Sequence, residues 1–208
     1  MTLVVFDMDG TLIDTQHDIT VSINYVRAAL YNLEPVKSDF VVEAINREER
    51  NLAQLFYHTA VYENRARSLF EMHYHDQCIQ NPRLYEDIET LLAALKSKGY
   101  SLSVATNAPS PFAKRMIAHL GIENYFDCII GADMVKIPKP DPQMLYKIFK
   151  HYGFDSKSHR GYMIGDNSKD MGVAKNAGIT GIFATWGFSK EGAGDHVCEH
   201  PLELLALI

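Results

Sequence analysis

A short apolar run, Leu3-Val4-Val5-Phe6, stops at two carboxylates two residues apart, Asp7 and Asp9, and is followed by Gly10 and Thr11. An apolar run of this kind, rich in β-branched residues, reads as a buried strand. The two acids sit where that strand leaves its sheet. In open α/β sheets, ligands bind outside that carboxyl edge. Two acids held together repel unless something positive lies between them, and a hard cation such as Mg2+ suits carboxylate oxygens. Asp9-Gly10 taken alone is also a turn-forming pair, so the rest of the chain has to decide.

From Thr15 to Asn81 there is no glycine, and the prolines are Pro35 inside the stretch and Pro82 just after it. Ile19, Ile23, Val26 and Leu30 repeat at 4-3-4 spacing, the mark of an amphipathic helix. Leu52, Leu55, Phe56, Leu69 and Met72 continue such spacing, so residues 15–81 read as a helical insert. After Pro82 strands and helices alternate. Ile88, Leu91, Leu92 and Leu95 share one helix face, and Gly99 follows as the stop. Leu102 to Thr106 reads as a strand, and Ser110-Pro111 as a helix start with Ser110 as cap. Cys128 to Ile130 is a short strand, and a helix runs from Asp141-Pro142 to Gly153 with Asp141 as its cap. Tyr162 to Ile164 is a strand, and a helix capped by Asn167 or Ser168 runs to Gly178. Gly181 to Ala184 reads as the last clear strand. Such alternation implies a parallel sheet with right-handed crossovers.

The charge balance bears on partners. Lys and Arg number 20 against 26 Asp and Glu, a net charge of -6, which argues against nucleic acid or an anionic membrane surface. No apolar run is long enough to span a bilayer, and the start lacks a basic region followed by an apolar stretch. Cys78, Cys128 and Cys198 form neither a zinc pattern nor a disulfide framework, so a cytoplasmic, reducing location is expected.

Three more segments follow strands. Thr106-Asn107 offers a hydroxyl, an amide and loop N–H groups, which suit phosphate oxygens and equally a simple turn. Lys136-Ile137-Pro138-Lys139-Pro140-Asp141-Pro142 is stiffened by three prolines, and a rigid loop can place a lysine charge on a phosphate. Gly165-Asp166-Asn167-Ser168-Lys169-Asp170 ends another apolar run in an acid, with Asp170 one helical turn later. The pair can face one cation or favour the helix dipole. His73-Tyr74-His75-Asp76-Gln77-Cys78 is rich in ligand atoms, but His73 and His75 point to different faces of a helix, and a polar contact is the simpler reading. Trp186-Gly187-Phe188 reads as packing at the rim.

In this order the four segments resemble the haloacid dehalogenase superfamily of aspartate-based phosphotransferases, over nearly the whole chain. Asp7-Met8-Asp9-Gly10-Thr11, Thr106-Asn107, Lys139-Pro140 in its proline-rich loop and Gly165-Asp166 with Asp170 carry the resemblance. Within it the chain is most similar to phosphoglycolate phosphatase-like members. The fold implied is α/β, a Rossmann-like three-layer core with a parallel sheet (residues 1–14 and 82–208) plus a helical cap domain (15–81). The resemblance makes Asp7 the nucleophile and Asp9 the general acid and base. Thr106 and the Asn107 backbone would hold phosphoryl oxygens, and Lys139 would offset charge. Asp7, Asp166 and the Asp9 carbonyl would bind Mg2+, supported by Asp170. An acid at position 9 sets the chain apart from the dehalogenase branch. The implied partner is a small phosphorylated metabolite, and the protein a monomer or homodimer.

Two departures bear on substrate. Ala108 stands where many phosphoglycolate phosphatases have lysine. The segment Ala44-Ile45-Asn46-Arg47-Glu48-Glu49-Arg50 lacks the glycines of their cap loop and is closer to the arginine-bearing loop of β-phosphoglucomutases. Arg47 would then grip a second anionic group, although it also reads as a solvated arginine beside two glutamates. A phosphoglucomutase-like transfer, a pyrophosphatase and a non-catalytic binding module are the competing readings.

Overall fold

The N-terminal apolar run forms strand β1 (Thr2–Phe6), buried along its whole length. A second short strand, β2 (Ile13–Asp14), leads into four helices, α1 (Gln16–Tyr31), α2 (Ser38–Asn46), α3 (Leu52–Tyr57) and α4 (Asn64–Gln77). The chain returns through β3 (Arg83–Leu84), α5 (Ile88–Ser97), β4 (Ser101–Ala105), α6 (Ser110–His119), β5 (Cys128–Ile130) and α7 (Gln143–Tyr152). It ends with β6 (Arg160–Gly165), α8 (Ser168–Ala177), β7 (Thr180–Ala184), β8 (His196–Cys198) and the short α9 (Leu204–Leu207). This computed structural model describes residues 1–47 and 51–208; residues 48–50, in the segment that bears Arg47, lie outside them.

Two units are distinguished, one of residues 1–14 and 83–208 and one of residues 15–82. Pro82 thus goes with the helical insert.

The first unit is built on a six-stranded sheet in the order β5-β4-β1-β6-β7-β8, every pairing parallel. From β1 the chain steps outward to β4 and β5, then crosses back to β6 and steps the other way to β7 and β8. Right-handed crossovers therefore set α5 and α6 on one face and α7 and α8 on the other. Side chains alternate along a strand. Leu3, Val5 and Met163 accordingly pack with Leu145, Ile148, Val173 and Ala174 of α7 and α8. Phe6, of opposite parity to Leu3 and Val5, meets Phe126 edge-on at 6.4 Å. Adjacent β1 and β6 carry crossovers that run in opposite directions, so the crevice at their carboxyl ends is the topological switch point where such sheets bind ligands.

The second unit packs its helices around Ile23, Val26, Val41, Ala44, Phe56 and Tyr57, with Ile19 and Leu30 partly buried against them. Its charged anchor is Asp18, 1% exposed in the first turn of α1. The Asp18 carboxylate accepts from Gln77 Nε2 at 2.7 Å, Asn81 N–H at 3.0 Å and Asn81 Nδ2 at 2.9 Å. His73 serves the same α1–α4 contact, with Nδ1 2.9 Å from Ser22 Oγ and its ring stacked on Tyr25. That is the polar contact expected of it.

Three local expectations are corrected. Pro109, not Ser110, is the N-cap of α6, because Asp133 takes both the Ser110 N–H (2.6 Å) and its hydroxyl (2.7 Å). Pro142 rather than Asp141 caps α7, although Asp141 Oδ1 still accepts from Gln143 N–H at 3.0 Å. Strand β8 follows the last run that is clear in the sequence; three residues carry too little pattern alone, and pairing with β7 makes them a strand. Among the described residues no helix is long and apolar enough to cross a membrane.

Asp18→Ala removes both acceptor oxygens and strands three donors. It is expected to destabilise the helical unit by about 3 kcal/mol, read as a lower urea midpoint by circular dichroism. Asp18→Asn, which keeps one acceptor oxygen, should lose less.

Candidate active site

The last rung of β1 is the Asp7 N–H donating to the Ile164 carbonyl at 2.8 Å. Beyond it the chain curls around one acceptor: Met8 O receives the N–H groups of Thr11, Leu12 and Ile13 at 3.2, 2.9 and 3.0 Å. The curl needs a left-handed residue, and Gly10 supplies it with φ of 83°. A Cβ there would also sit 2.5 Å from Asp166 Oδ2, so side chain and backbone both demand glycine.

Lys139 lies at the centre of the site, 4% exposed. Its Nζ donates to Asp7 Oδ1 at 2.6 Å, Ala105 O at 2.6 Å and Asp170 Oδ1 at 2.7 Å. Those three acceptors use all three donors of an ammonium. Burial works against the charge, but Asp170 and Asp7 outweigh it and hold Lys139 above its ordinary value. The loop bearing this lysine is fastened from β4: Asn107 Oδ1 accepts the Lys139 N–H at 3.0 Å, and Asn107 Nδ2 donates to Lys139 O at 3.1 Å.

Asp166 leaves the end of β6, 1% exposed. Its Oδ2 accepts from the N–H groups of Phe188 and Ser189 at 2.8 and 3.3 Å, and its Oδ1 from Thr11 Oγ1 at 3.4 Å. Burial first, then the charges of Asp7 and Asp170, push its carboxyl up to about 8 against the pull of those N–H groups. Asp170 closes a capping box with Asn167 at the start of α8 while also pairing with Lys139. It therefore serves the helix start that its position allows and, in addition, the lysine. Burial raises it, with Lys139 pulling the other way.

Asp7, Asp166 and Asp170 each offer an oxygen within 4.8 Å of the others'. Three buried acids share one ammonium, and the raised carboxyls of Asp166 and Asp170 register negative charge that the lysine does not offset. Such a charge deficit, presented by hard oxygen donors, fits a divalent cation. Thr106 faces the same crevice: its Oγ1 accepts from Ala108 N–H at 3.0 Å and lies 3.4 Å from Asp9 Oδ2. The sheet thus gathers Asp7, Asp9, Thr106, Asn107, Lys139, Asp166 and Asp170. Asn107 spends its side chain on the lysine loop. Arg47 stands in the helical unit, where it forms an exposed pair with Glu43 at 2.6 Å.

One segment that the sequence marked only as rim packing does more. Besides the two N–H groups that Phe188 and Ser189 give to Asp166, Trp186 Nε1 donates to Thr11 O at 2.9 Å. The small residue between two aromatics, Gly187, was the available signal for a close backbone approach.

A family model described as haloacid dehalogenase-like hydrolase matches residues 4–184. A phosphoglycolate phosphatase of Aquifex aeolicus (strain VF5) is 30% identical over 210 residues, covering 100% of this chain and 97% of that protein. Another from Yersinia pestis is 30% identical and covers 89% and 82%. Among solved structures, a predicted phosphoglycolate phosphatase from Haemophilus somnus 129PT superposes with a TM-score of 0.85 at 25% identity, covering 99% and 96%. With the acids, the lysine and the sheet edge in place, this chain belongs to the haloacid dehalogenase-like hydrolase family and is an enzyme similar to its phosphoglycolate phosphatases.

Proposed function

We propose that the protein is a Mg2+-dependent phosphatase that hydrolyses a small phosphomonoester, such as phosphoglycolate, through an aspartyl-phosphate. The observation that carries this is the buried array of Asp7, Asp166 and Asp170 around a single Lys139, set at the switch point of the sheet. The named relatives support the ester class.

In this reading an Asp7 carboxylate oxygen attacks phosphorus, forming a P–O bond as the ester P–O bond breaks. Asp9 gives its proton to the departing alkoxide. Its carboxylate then takes a proton from the water that attacks the aspartyl-phosphate, releasing inorganic phosphate and restoring Asp7. Thr106, beside Asp9, and the loop amides beyond it offer donors for the transferring oxygens. Lys139 donates to Asp7 Oδ1 and so orients the nucleophile. Asp7 and Asp166, with Asp170 behind them, would hold the cation, which supplies charge neutralisation between anionic nucleophile and anionic phosphate. Positioning and charge stabilisation do most of the work in such transfers.

The test is phosphate release, with Mg2+ and with EDTA, from phosphoglycolate, pyrophosphate, sugar phosphates, nucleotides and an aryl phosphate. Metal-dependent release is expected; transfer to a second sugar hydroxyl without phosphate release would point to a mutase instead. Asp7→Asn, near-isosteric, should leave the circular dichroism spectrum intact and turnover undetectable. Asp9→Asn should lose about 10²–10⁴-fold in kcat, with a smaller loss for an aryl ester, whose leaving group needs less help from a proton. Lys139→Met leaves buried carboxylates unpaired and should cost about 3–5 kcal/mol, measured by denaturant unfolding in EDTA.

A further inference from the structure

After β7 the chain runs along Thr185-Trp186-Gly187-Phe188-Ser189. Its beginning is tied to the edge strand: Thr185 N–H and Oγ1 both reach Cys198 O, at 2.9 and 3.2 Å. Its middle lies against the curl that follows β1, so closely that a Cβ on Gly187 would come within 1.7 Å of Gly10 O. Its end delivers two N–H groups to Asp166 Oδ2. The Trp186 indole N–H holds Thr11 O, and the hydroxyl of that same Thr11 reaches Asp166 Oδ1. Both oxygens of Asp166 are therefore set by one strap: Oδ2 directly through its backbone, Oδ1 through the threonine that Trp186 fixes.

We infer that this strap positions Asp166 for cation binding, and that Trp186 and Gly187 are positioning residues, the first through its indole N–H on Thr11 and the second by letting the backbone come close. The inference rests on the reading that Asp166 is a cation ligand. A carboxylate at a strand end can rotate, and burial alone does not choose its plane. Three directed donors from two loops do choose it, which is how groups behind the ligands usually tune a metal site. Packing at the rim requires neither the indole N–H nor a glycine. Positioning requires the first to hold Thr11 and the second to let the strap reach Asp166.

The test is Mn2+ binding to the full chain without substrate, followed by the free-ion paramagnetic resonance signal, for the native protein, Asp166→Asn, Trp186→Phe and Gly187→Ala. Trp186→Phe keeps the ring and removes the donor. It is expected to weaken Mn2+ binding about 10-fold or more and to raise the Mg2+ needed for half-maximal turnover, with kcat recovered at saturating metal. Gly187→Ala should shift both in the same direction and further. Should Gly187→Ala fail to fold, Trp186→Phe decides alone. Native Mn2+ affinity in Trp186→Phe alongside a weakened Asp166→Asn overturns the positioning role. Native affinity in Asp166→Asn overturns the cation-ligand reading itself, and the inference with it.

Discussion

One ammonium holds the site together. Lys139 is buried at the carboxyl edge of the sheet and joins three things that the chain delivers from different places: Asp7 from β1, the Ala105 carbonyl from the end of β4 and Asp170 from α8. A buried lysine is stable only where its donors are met and its charge is opposed, and three buried acids are tolerable only with positive charge among them. Each side of this arrangement requires the other. The proline-rich loop and the Asn107 amide that grips Lys139 by its backbone keep that exchange in place.

The compensation is incomplete, and that is its chemical use. One ammonium cannot offset three ionised carboxylates, and the acids lie where β1 and β6 part. A structure selected only for stability would bury apolar groups there, because replacing a buried ionic cluster with well-packed apolar residues is often stabilising. The acids are instead fixed from several directions: Asp166 by two backbone N–H groups and a threonine, Asp170 by a helix start, Asp7 by the lysine. Groups held this rigidly present preorganised charge, the feature that phosphoryl transfer draws on most.

Much of this was legible in the chain. Apolar runs ending in Asp7 and Asp166, with a glycine-free insert between the first motif and the alternating region, led to the parallel sheet, the helical unit and the residues that gather at the sheet edge. The misses share a cause. Ser110 looked like a cap, but a carboxylate 23 residues away took its N–H and hydroxyl. Strand β8 is three residues long and exists because β7 offers it a partner. The side-chain amide of Asn107 binds a loop 32 residues on, a partner no local pattern names, and leaves the backbone expected to hold phosphoryl oxygens as a separate group. Trp186-Gly187-Phe188 looked like rim packing because the sequence could not show what its backbone faces.

The amino-acid sequence by itself determined which residue types stand at each strand end, and the alternation that makes strand ends meet on one edge. These are local properties, fixed by side-chain period, turn-forming residues and the run lengths of apolar positions. Only the tertiary structure decided how the charges are shared: which carboxylates take the lysine, which one receives the strap's N–H groups, and that Gly10 and Gly187 let two loops touch within the reach of Asp166. Those outcomes depend on distances between groups as many as 175 residues apart, as in the Trp186 to Thr11 bond. Hydrogen bonds and buried charges act over a few ångströms, and the fold alone brings such distant groups within that range.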